Sequence, residues 1–369
     1  MTARIVLENL KHKPMRSLLS ILLVGVPVTL ILCLVGLSHG MIEDTQRRTR
    51  AIGADVIVRP EASNMLSANG SMPEAVAGAL VKLPHVRMAV GVLNVLVDGV
   101  FMGAAGIDMV QFERMSGPFR FLQGGPFEGP NDRRDVMVDE DFADERHIQM
   151  GDSITLLNRK WRVCGIFEGG KLAKVVLPLK VLQDLSVNTN KVTQIYLKLD
   201  DPANTQAVID YMQRDPTWQD YKTYSMKQFM DLFTIENIKP LKEFVWVIVT
   251  IGVVIGFAVT CLSMYMAVLQ RTREIGILKS LGGSNAFILR IILAEAFIMG
   301  VGGTALGIVM SFGAWWLIKT LLPASIPMTI VPIWWFYALG ITLVGTLLGA
   351  LYPGLTAARH DPIEALAYE

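Results

Sequence analysis

Four long apolar runs constrain this chain more than any other feature of its sequence. The first extends from Ser17 to Ser38 without a charged side chain. At a rise of about 1.5 Å per residue, a helix of this length crosses a hydrocarbon core of about 30 Å. The run is too long for the apolar region of a signal peptide, and no small-residue cleavage pattern follows it. We therefore predict a retained transmembrane helix at residues 17–39.

Three further apolar runs lie in the last third of the chain. They predict transmembrane helices at residues 241–269, 291–320 and 334–356, with a short loop at 321–333. These spans contain almost no polar side chains, so a channel for a hydrophilic solute is disfavoured. The acid Glu295 is the main exception, and we interpret it as an interfacial residue paired locally, with a functional role as the alternative.

Residues 40–240 differ from the rest because they are polar and mixed in pattern. Strand-like segments alternate with helical ones, and two strands, Asp152–Leu157 and Trp161–Phe167, should enclose a turn at Asn158–Lys160. This pattern predicts an extracytoplasmic α/β (α+β) domain, inserted between transmembrane helices 1 and 2, that buries its own core. Stalk helices are expected at both of its ends, over Glu43–Arg50 and Leu241–Val247.

The distribution of lysine and arginine predicts the orientation in the membrane. Segment 1–16, which reads as an amphipathic helix, and segment 270–290 each carry four such residues, the tail 357–369 carries one, and loop 321–333 carries none. Cytoplasmic loops are enriched in these residues. We therefore expect a multi-pass protein of the bacterial inner membrane with both termini in the cytoplasm and residues 40–240 in the periplasm. Arg47, Arg48 and Arg50 oppose this assignment, but large translocated domains carry little weight in the rule.

Segment 270–290 predicts a short amphipathic helix at the membrane surface. Ile275, Ile277, Leu278 and Leu281 recur at helical offsets. Gly282 and the glycine after it should end the helix, and the following serine can cap the next one. The alternative is an ordinary basic loop that only fixes topology.

Small residues recur at a four-residue spacing in the last three spans. The pairs are Gly252 and Gly256, Gly303 and Gly307, and Gly345 and Gly349. Such pairs let helices approach closely in lipid, so we predict tight packing on these faces. The alternative is that glycine is simply common in membrane helices.

No catalytic or metal-binding constellation is present in the sequence. The five histidines are scattered without an H-E-x-x-H pair, and the three cysteines have no metal-site spacing. A G-x-x-x-x-G-K-[ST] loop is also absent, so the chain does not bind ATP through a P-loop of its own. The net charge of +1 gives no reason to expect nucleic-acid binding.

Four segments carry a resemblance to a known family. The chain resembles the FtsX-like permeases of ABC transporters, the type VII or mechanotransmission class that includes MacB and LolC/LolE. The matching segments are Glu8–Ser20, Val138–Phe167, Asp361–Leu366 and Arg271–Gly282, of which the last, similar to the family's coupling helix, is the most specific.

The resemblance implies a permease subunit that is not itself an enzyme. It implies a dimer of permease chains, identical or different, and two copies of a separate ATPase subunit that bind ATP and Mg. It also leaves room for a periplasmic adaptor protein. The residues expected at the ATPase-coupling interface are Arg271, Arg273, Glu274, Ile275, Gly276, Ile277, Leu278, Lys279, Leu281 and Gly282, and we expect the four apolar ones to enter a groove on the ATPase.

Two functions remain open for such a permease. The first is export or extraction of an amphiphile such as a lipid, lipoprotein, peptide or antibiotic. The second is signalling, in which the outer domain activates a periplasmic cell-wall hydrolase and moves no substrate. A membrane enzyme is the weakest hypothesis, because the sequence contains no recognisable set of catalytic residues.

Overall fold

The computed structural model describes most of the chain between residues 14 and 359. The described ranges are 14–61, 63, 70–97, 103–129, 132, 134–232, 234, 237, 239–270, 272–321 and 327–359. The predicted helix at 1–16, apart from its last residues, and most of the tail at 357–369 lie outside these ranges. Much of segment Glu8–Ser20 and all of segment Asp361–Leu366 are therefore also outside them.

Helices at both ends of the chain flank a region of mixed helices and strands. The helices are α1 Pro14–Arg50, α2 Ala75–Leu80, α3 Met109–Ser116, α4 Glu140–Arg146, α5 Leu179–Leu185, α6 Thr205–Arg214, α7 Met226–Leu232, α8 Lys239–Gln270, α9 Thr272–Ser280, α10 Asn285–Leu321 and α11 Ile333–Arg359. The strands are β1 Val56–Pro60, β2 Met72–Pro73, β3 Val86–Leu96, β4 Gly103–Ile107, β5 Phe121–Gly124, β6 Asp135–Asp139, β7 Ser153–Leu156, β8 Arg159–Phe167, β9 Val175–Pro178, β10 Lys191–Val192, β11 Gln194–Leu199 and β12 Tyr221–Ser225.

Four helices in the described part of the chain, α1, α8, α10 and α11, are long and apolar enough to cross a membrane. This confirms the four predicted spans. The helices continue past the apolar runs: α1 extends without a break to Arg50, and α8 already begins at Lys239. The two predicted stalk segments therefore belong to the same helices as the spans.

The region between α1 and α8 forms a mixed sheet, which confirms the predicted α/β domain. Its strand order is β12-β1-β11-β3-β4-β9-β6-β8-β5, with β7 paired to β8 and a separate pair formed by β10 and β2. Most pairs are antiparallel, while β4 with β9 and β6 with β8 are parallel. Neighbours along β9 alternate between two apolar clusters: Val175 and Leu177 join one, and Val176 joins the other. Because side chains alternate across a strand, the sheet is covered on both faces.

One turn of the domain differs from the prediction. The β7–β8 hairpin turns at Leu157 and Asn158, both with positive φ, rather than over residues 158–160. Left-handed backbone at both central positions makes this a type I′ turn, whose twist matches that of the flanking strands. Leucine is an uncommon residue there, so the sequence carried no strong signal for this register.

The chain divides into two compact units. One comprises Met1–His39, Lys239–Lys319 and Met328–Glu369, and the other comprises Gly40–Ile238 and Thr320–Pro327. We call them the membrane unit and the sheet unit and describe each by itself.

Glycines bring the helices of the membrane unit close together. A Cβ added at Gly307 would lie 2.6 Å from Cγ1 of Val28 and 2.9 Å from the carbonyl oxygen of Gly25, both on α1. At Gly303 it would lie 2.5 Å from Cγ1 of Val24. Thr29 Oγ1 also donates a hydrogen bond to the carbonyl of Gly307, at 3.2 Å. Helices α1 and α10 therefore meet almost backbone to backbone.

The other two predicted glycine pairs differ in how closely they approach a neighbouring helix. On α11, a Cβ at Gly349 would lie 2.5 Å from the carbonyl oxygen of Phe257 on α8, and Gly345 lies somewhat less close to the same helix. On α8, Gly252 faces Ile31 of α1, but the Cβ position of Gly256 has no heavy atom within 4 Å among the described residues. Packing on Gly256 is therefore not seen among the residues that the structure describes. Four residues turn a helix by about 400°, so Gly256 is rotated by about 40° from Gly252.

Candidate functional site

The segment singled out by its sequence forms the short helix α9, between α8 and α10. Its end is fixed by backbone geometry: Gly282 has φ +92°, its N–H donates to the carbonyl of Lys279 at 3.0 Å, and the Gly283 N–H donates to the carbonyl of Leu278 at 2.9 Å. This is a Schellman cap, which favours glycine because L side chains are strained at positive φ. Ser284 Oγ then accepts a hydrogen bond from the N–H of Phe287 and caps α10. The predicted stop and start signals are both confirmed.

One face of α9 packs onto the membrane unit. Ile275 and Leu278 are partly buried against an apolar cluster drawn from three helices. The cluster comprises Met264, Val268, Ile288, Ile292, Ala296, Met299, Ala350, Ala357 and Ala358. Residues three apart lie on the same side of a helix, which explains why these two side chains act together.

A polar contact ties the end of α9 to the end of α11. Lys279 Nζ donates a hydrogen bond to the backbone carbonyl of Ala358, at 3.0 Å. That carbonyl belongs to the last turn of α11, where helix carbonyls lack partners within the helix and cations are favourable. Lys279 therefore anchors α9, in addition to any role at an interface. The sequence analysis missed this anchor because a backbone carbonyl has no side-chain signature.

The opposite face of α9 is exposed. The exposed fraction is 46% for Ile277 and 80% for Leu281, and Glu274 is exposed as well. Of the four apolar residues expected to enter a groove on the ATPase, two are therefore exposed and two are partly buried within the chain, and the coupling interface itself stays a prediction. Ile275 and Ile277 point about 160° apart on a helix, so Ile277 and Leu281 are the more accessible pair for a partner.

The remaining residues predicted for this interface are placed as follows. Gly276 is buried in α9. Arg271 lies outside the described residues, and for Arg273 only the backbone, within α9, is described.

A small apolar cavity lies beneath α9. It is lined by Met264, Ala267, Val268, Glu274, Ile275, Leu278, Ile288, Ile291, Ile292 and Glu295. Glu295 is 4% exposed, so it lies inside the membrane unit rather than at an open surface. Burying an ionisable group among apolar side chains costs free energy unless the group is paired or hydrogen-bonded. Glu295 does have an interaction partner.

Two family models together match most of the chain. The MacB-like periplasmic core domain matches residues 17–215, which is more than half of the chain, and the FtsX-like permease C-terminal model matches residues 246–362. The second match contains α9 and the helices that pack on it.

Curated relatives show the same similarity. The chain is 27% identical to the lipoprotein-releasing system transmembrane protein LolC of Neisseria meningitidis, over 48% of this chain and 47% of that protein. It is 22% identical to the macrolide export ATP-binding/permease protein MacB of Escherichia coli, over 98% of this chain and 60% of that protein. An uncharacterized ABC transporter permease of Methanocaldococcus jannaschii is 26% identical over 61% of this chain and 59% of its own length. The chain thus spans about half of the length of these relatives.

Among solved structures, the periplasmic region of MacB from Actinobacillus actinomycetemcomitans matches 51% of this chain and 95% of its own, with 16% identity and a TM-score of 0.38. The two family models match most of the chain, and the MacB-like model alone covers more than half of it. On that ground, the chain belongs to the FtsX-like, MacB-type family of ABC transporter permeases.

Proposed function

We propose that this chain is the membrane subunit through which a separate ATPase drives export or extraction of an amphiphilic substrate. ATP and Mg are bound by the ATPase subunit and not by this chain. The working complex contains two permease chains and two ATPase subunits, and α9 and both termini lie in the cytoplasm. Lys and Arg in segment 270–290 and their absence from loop 321–333 support that orientation.

The observation that carries the proposal is the division of α9 into two faces. Ile275 and Leu278 hold it against α8, α10 and α11, while Ile277 and Leu281 are exposed. Exposed apolar residues at a helical spacing suit a groove on another protein. Because packed interiors are dense and transmit displacement, a push on the exposed face would move the three helices beneath it.

The substrate class follows from the membrane unit. The faces of α1, α10, α8 and α11 that meet at glycines approach too closely for a hydrated path between them. A substrate that stays in contact with lipid, or is handled by the sheet unit, avoids this barrier. An amphiphile fits that requirement better than a hydrophilic solute.

The test uses the full chain, purified in lipid nanodiscs with the ATPase that accompanies it. Glu274→Lys reverses a charge on the exposed side of α9, and we expect ATP hydrolysis by the complex to fall to the rate of the isolated ATPase. Glu61→Lys, the same charge reversal at an exposed site of the sheet unit, is the control and should leave the rate unchanged. An unchanged rate in Glu274→Lys would contradict the proposal.

The same preparation separates export from signalling. Mass spectrometry of the purified complex should find a lipid, lipoprotein or other amphiphile in the export case. A cell-wall hydrolase bound without any amphiphile would instead support a signalling subunit.

A further inference from the structure

The last turns of α1 enter the sheet unit with a buried charge. The Arg48 side chain is 9% exposed, and its Nε donates a hydrogen bond to Oδ2 of Asp44, one turn earlier, at 2.7 Å. Its Nη2 lies 2.8 Å from Oδ2 of Asp139 and 3.7 Å from Oδ2 of Asp141, and these are charge contacts without the geometry of a hydrogen bond. The guanidinium is therefore held on one side by its own helix and on the other by the segment where β6 meets α4.

The other carboxylate oxygen of Asp139, Oδ1, holds this side chain in place. Its side chain is fully buried, and Oδ1 accepts a hydrogen bond from the N–H of Phe142 at 2.9 Å, which caps α4. Its backbone N–H donates to the carbonyl of Lys174 at 2.8 Å. The carboxylate facing Arg48 is thus fixed to a strand in the middle of the sheet and to the start of a helix, so it cannot follow Arg48 if α1 turns.

Neighbouring contacts restrict α1 in other directions. Arg47 lies against Gly170, where an added Cβ would come within 2.9 Å of its Nε. Gln46 Nε2 donates to the carbonyl of Met230 on α7, at 3.1 Å, and Arg50 contacts the sulfur of the same methionine. Successive residues of one helical turn therefore contact different parts of the sheet unit.

A second Arg–Asp pair, between Asp135 on β6 and Arg162 on β8, provides a comparison. At the start of β6, Arg162 makes two hydrogen bonds to Asp135, at 2.7 and 2.6 Å. Both residues belong to the sheet, and the Arg162 side chain is 62% exposed. The Asp135 pair joins strands that the sheet already joins, whereas the Asp139 pair joins the sheet to α1.

We propose that Arg48 and Asp139 form a rigid joint, which fixes the rotation of the end of α1 against the sheet so that motion of the membrane part of α1 moves the sheet unit. The hydrogen bond from Nε to Asp44 fixes the plane of the guanidinium on α1, and moving its buried charge away from that of Asp139 is costly. Arg48 and Asp139 are positioning residues in this scheme. The role in transmission rests on the proposed function, while the rigidity of the joint does not.

The experiment measures distances by pulsed EPR in the full chain, alone and with its ATPase. Spin labels are placed at Met41→Cys on α1 and Lys82→Cys after α2, in a background without Cys33, Cys164 and Cys261. We expect one narrow distance distribution in the wild type that does not shift when ATP is bound.

The test variant is the neutral pair Arg48→Met with Asp139→Asn, because asparagine can still accept the hydrogen bond from Phe142 and no buried charge is left alone. We expect its distance distribution to broaden and the coupled ATPase stimulation to be lost. Arg48→Lys, which keeps the charge but loses the planar fork, should broaden it less. The matched control, Arg162→Met with Asp135→Asn, should keep the wild-type distribution and stimulation.

Three results would contradict the proposed joint. They are a distance distribution in the double variant as narrow as in the wild type, equal broadening in the matched control, and a wild-type distance that shifts when ATP is bound. Failure of the proposed function appears differently. In that case the wild-type complex shows no stimulated ATPase activity at all, while the widths measured without ATP still decide whether the joint is rigid.

Discussion

The two units of this molecule hold their helices by opposite means. In the membrane unit, α1 meets α10 at Gly303 and Gly307, where backbones nearly touch and only weak polar contacts are made. In the sheet unit, the end of the same helix is held by Arg48 against Asp139, two buried charges. Within lipid an apolar surface has no hydrophobic drive to associate, so close van der Waals packing takes its place.

This difference suggests what each end of α1 can do. Glycine contacts depend on close packing, so a larger side chain at these positions collides with the neighbouring helix. A buried ion pair is different, because the loss of one partner leaves the other ion buried without a counter-charge. The two ends of α1 should therefore lose stability by different routes, through overpacking at the glycines and through an unpaired charge at Asp139.

The largest effect should come from removing Arg48 alone. Arg48→Met leaves Asp139 buried without its counter-charge, which typically costs about 3–5 kcal/mol. Thermal unfolding of the full chain in detergent, followed by the signal of the sheet, measures this loss. Arg162→Met should cost less, because water reaches Asp135 once the exposed guanidinium is gone. Equal losses in the two variants would remove the distinction between the pairs.

A smaller loss is expected from filling a glycine contact in the membrane unit. Gly307→Val would place atoms against Val28 and the Gly25 carbonyl, and such overpacking typically costs about 1–3 kcal/mol. Gly256→Val is the control, since its Cβ position is open among the described residues. Thermal stability in detergent should fall only in the first variant. A matching fall in Gly256→Val would point to a contact with a second chain.

The two faces of α9 should respond differently to truncation. Ile275→Ala removes part of an apolar contact and should lower stability by about 1–2 kcal/mol, below the range for a fully buried isoleucine. Ile277→Ala should change stability by less than about 0.5 kcal/mol, as for other surface substitutions, yet weaken ATPase stimulation. Unfolding and ATPase assays on both variants test the pair. The division of faces fails if Ile277→Ala is the more destabilised of the two.

The smallest effect concerns the reactivity of one thiol rather than the stability of the chain. Burial, together with the negative charge of Asp135, raises the pKa of the Cys164 thiol in the sheet unit to about 12. At pH 8 only about one thiol in ten thousand is then ionised, and the thiolate is the reactive form. We expect slow alkylation of Cys164 by iodoacetamide at pH 8 and faster alkylation as the pH rises, in a chain lacking the other two cysteines. Asp135→Asn should speed the reaction, and rapid labelling of the wild type at pH 8 would contradict the raised pKa.

Local signals in the sequence predicted α9 and the four spans well. Apolar runs without charge identify membrane helices directly, and Gly282 followed by Ser284 marked the end of one helix and the start of the next. The sequence did not divide the four apolar residues of α9 between two sides of the helix. Only the packing partners show that Ile275 turns inward and Ile277 outward.

The joint at Arg48 could not be predicted in the same way. From the sequence, Arg48 was one of three basic residues that opposed the predicted orientation, and Asp139 carried no signal of its own. They are distant in sequence, and although Asp139 lies in the matching segment Val138–Phe167, nothing in that segment singles it out. The pairing becomes visible only once β6 is placed in the sheet and α1 is seen to end against it.

The central claim is that α9 presents Ile277 and Leu281 to an ATPase while Ile275 and Leu278 face the chain's own helices. Site-specific photocrosslinking in intact membranes tests it most directly, with the photoreactive amino acid p-benzoylphenylalanine placed at each of the four positions in turn. We predict crosslinks to a separate ATPase subunit from positions 277 and 281, and only internal crosslinks from 275 and 278. Crosslinks to the ATPase from 275 or 278, with none from 277 and 281, would contradict the account.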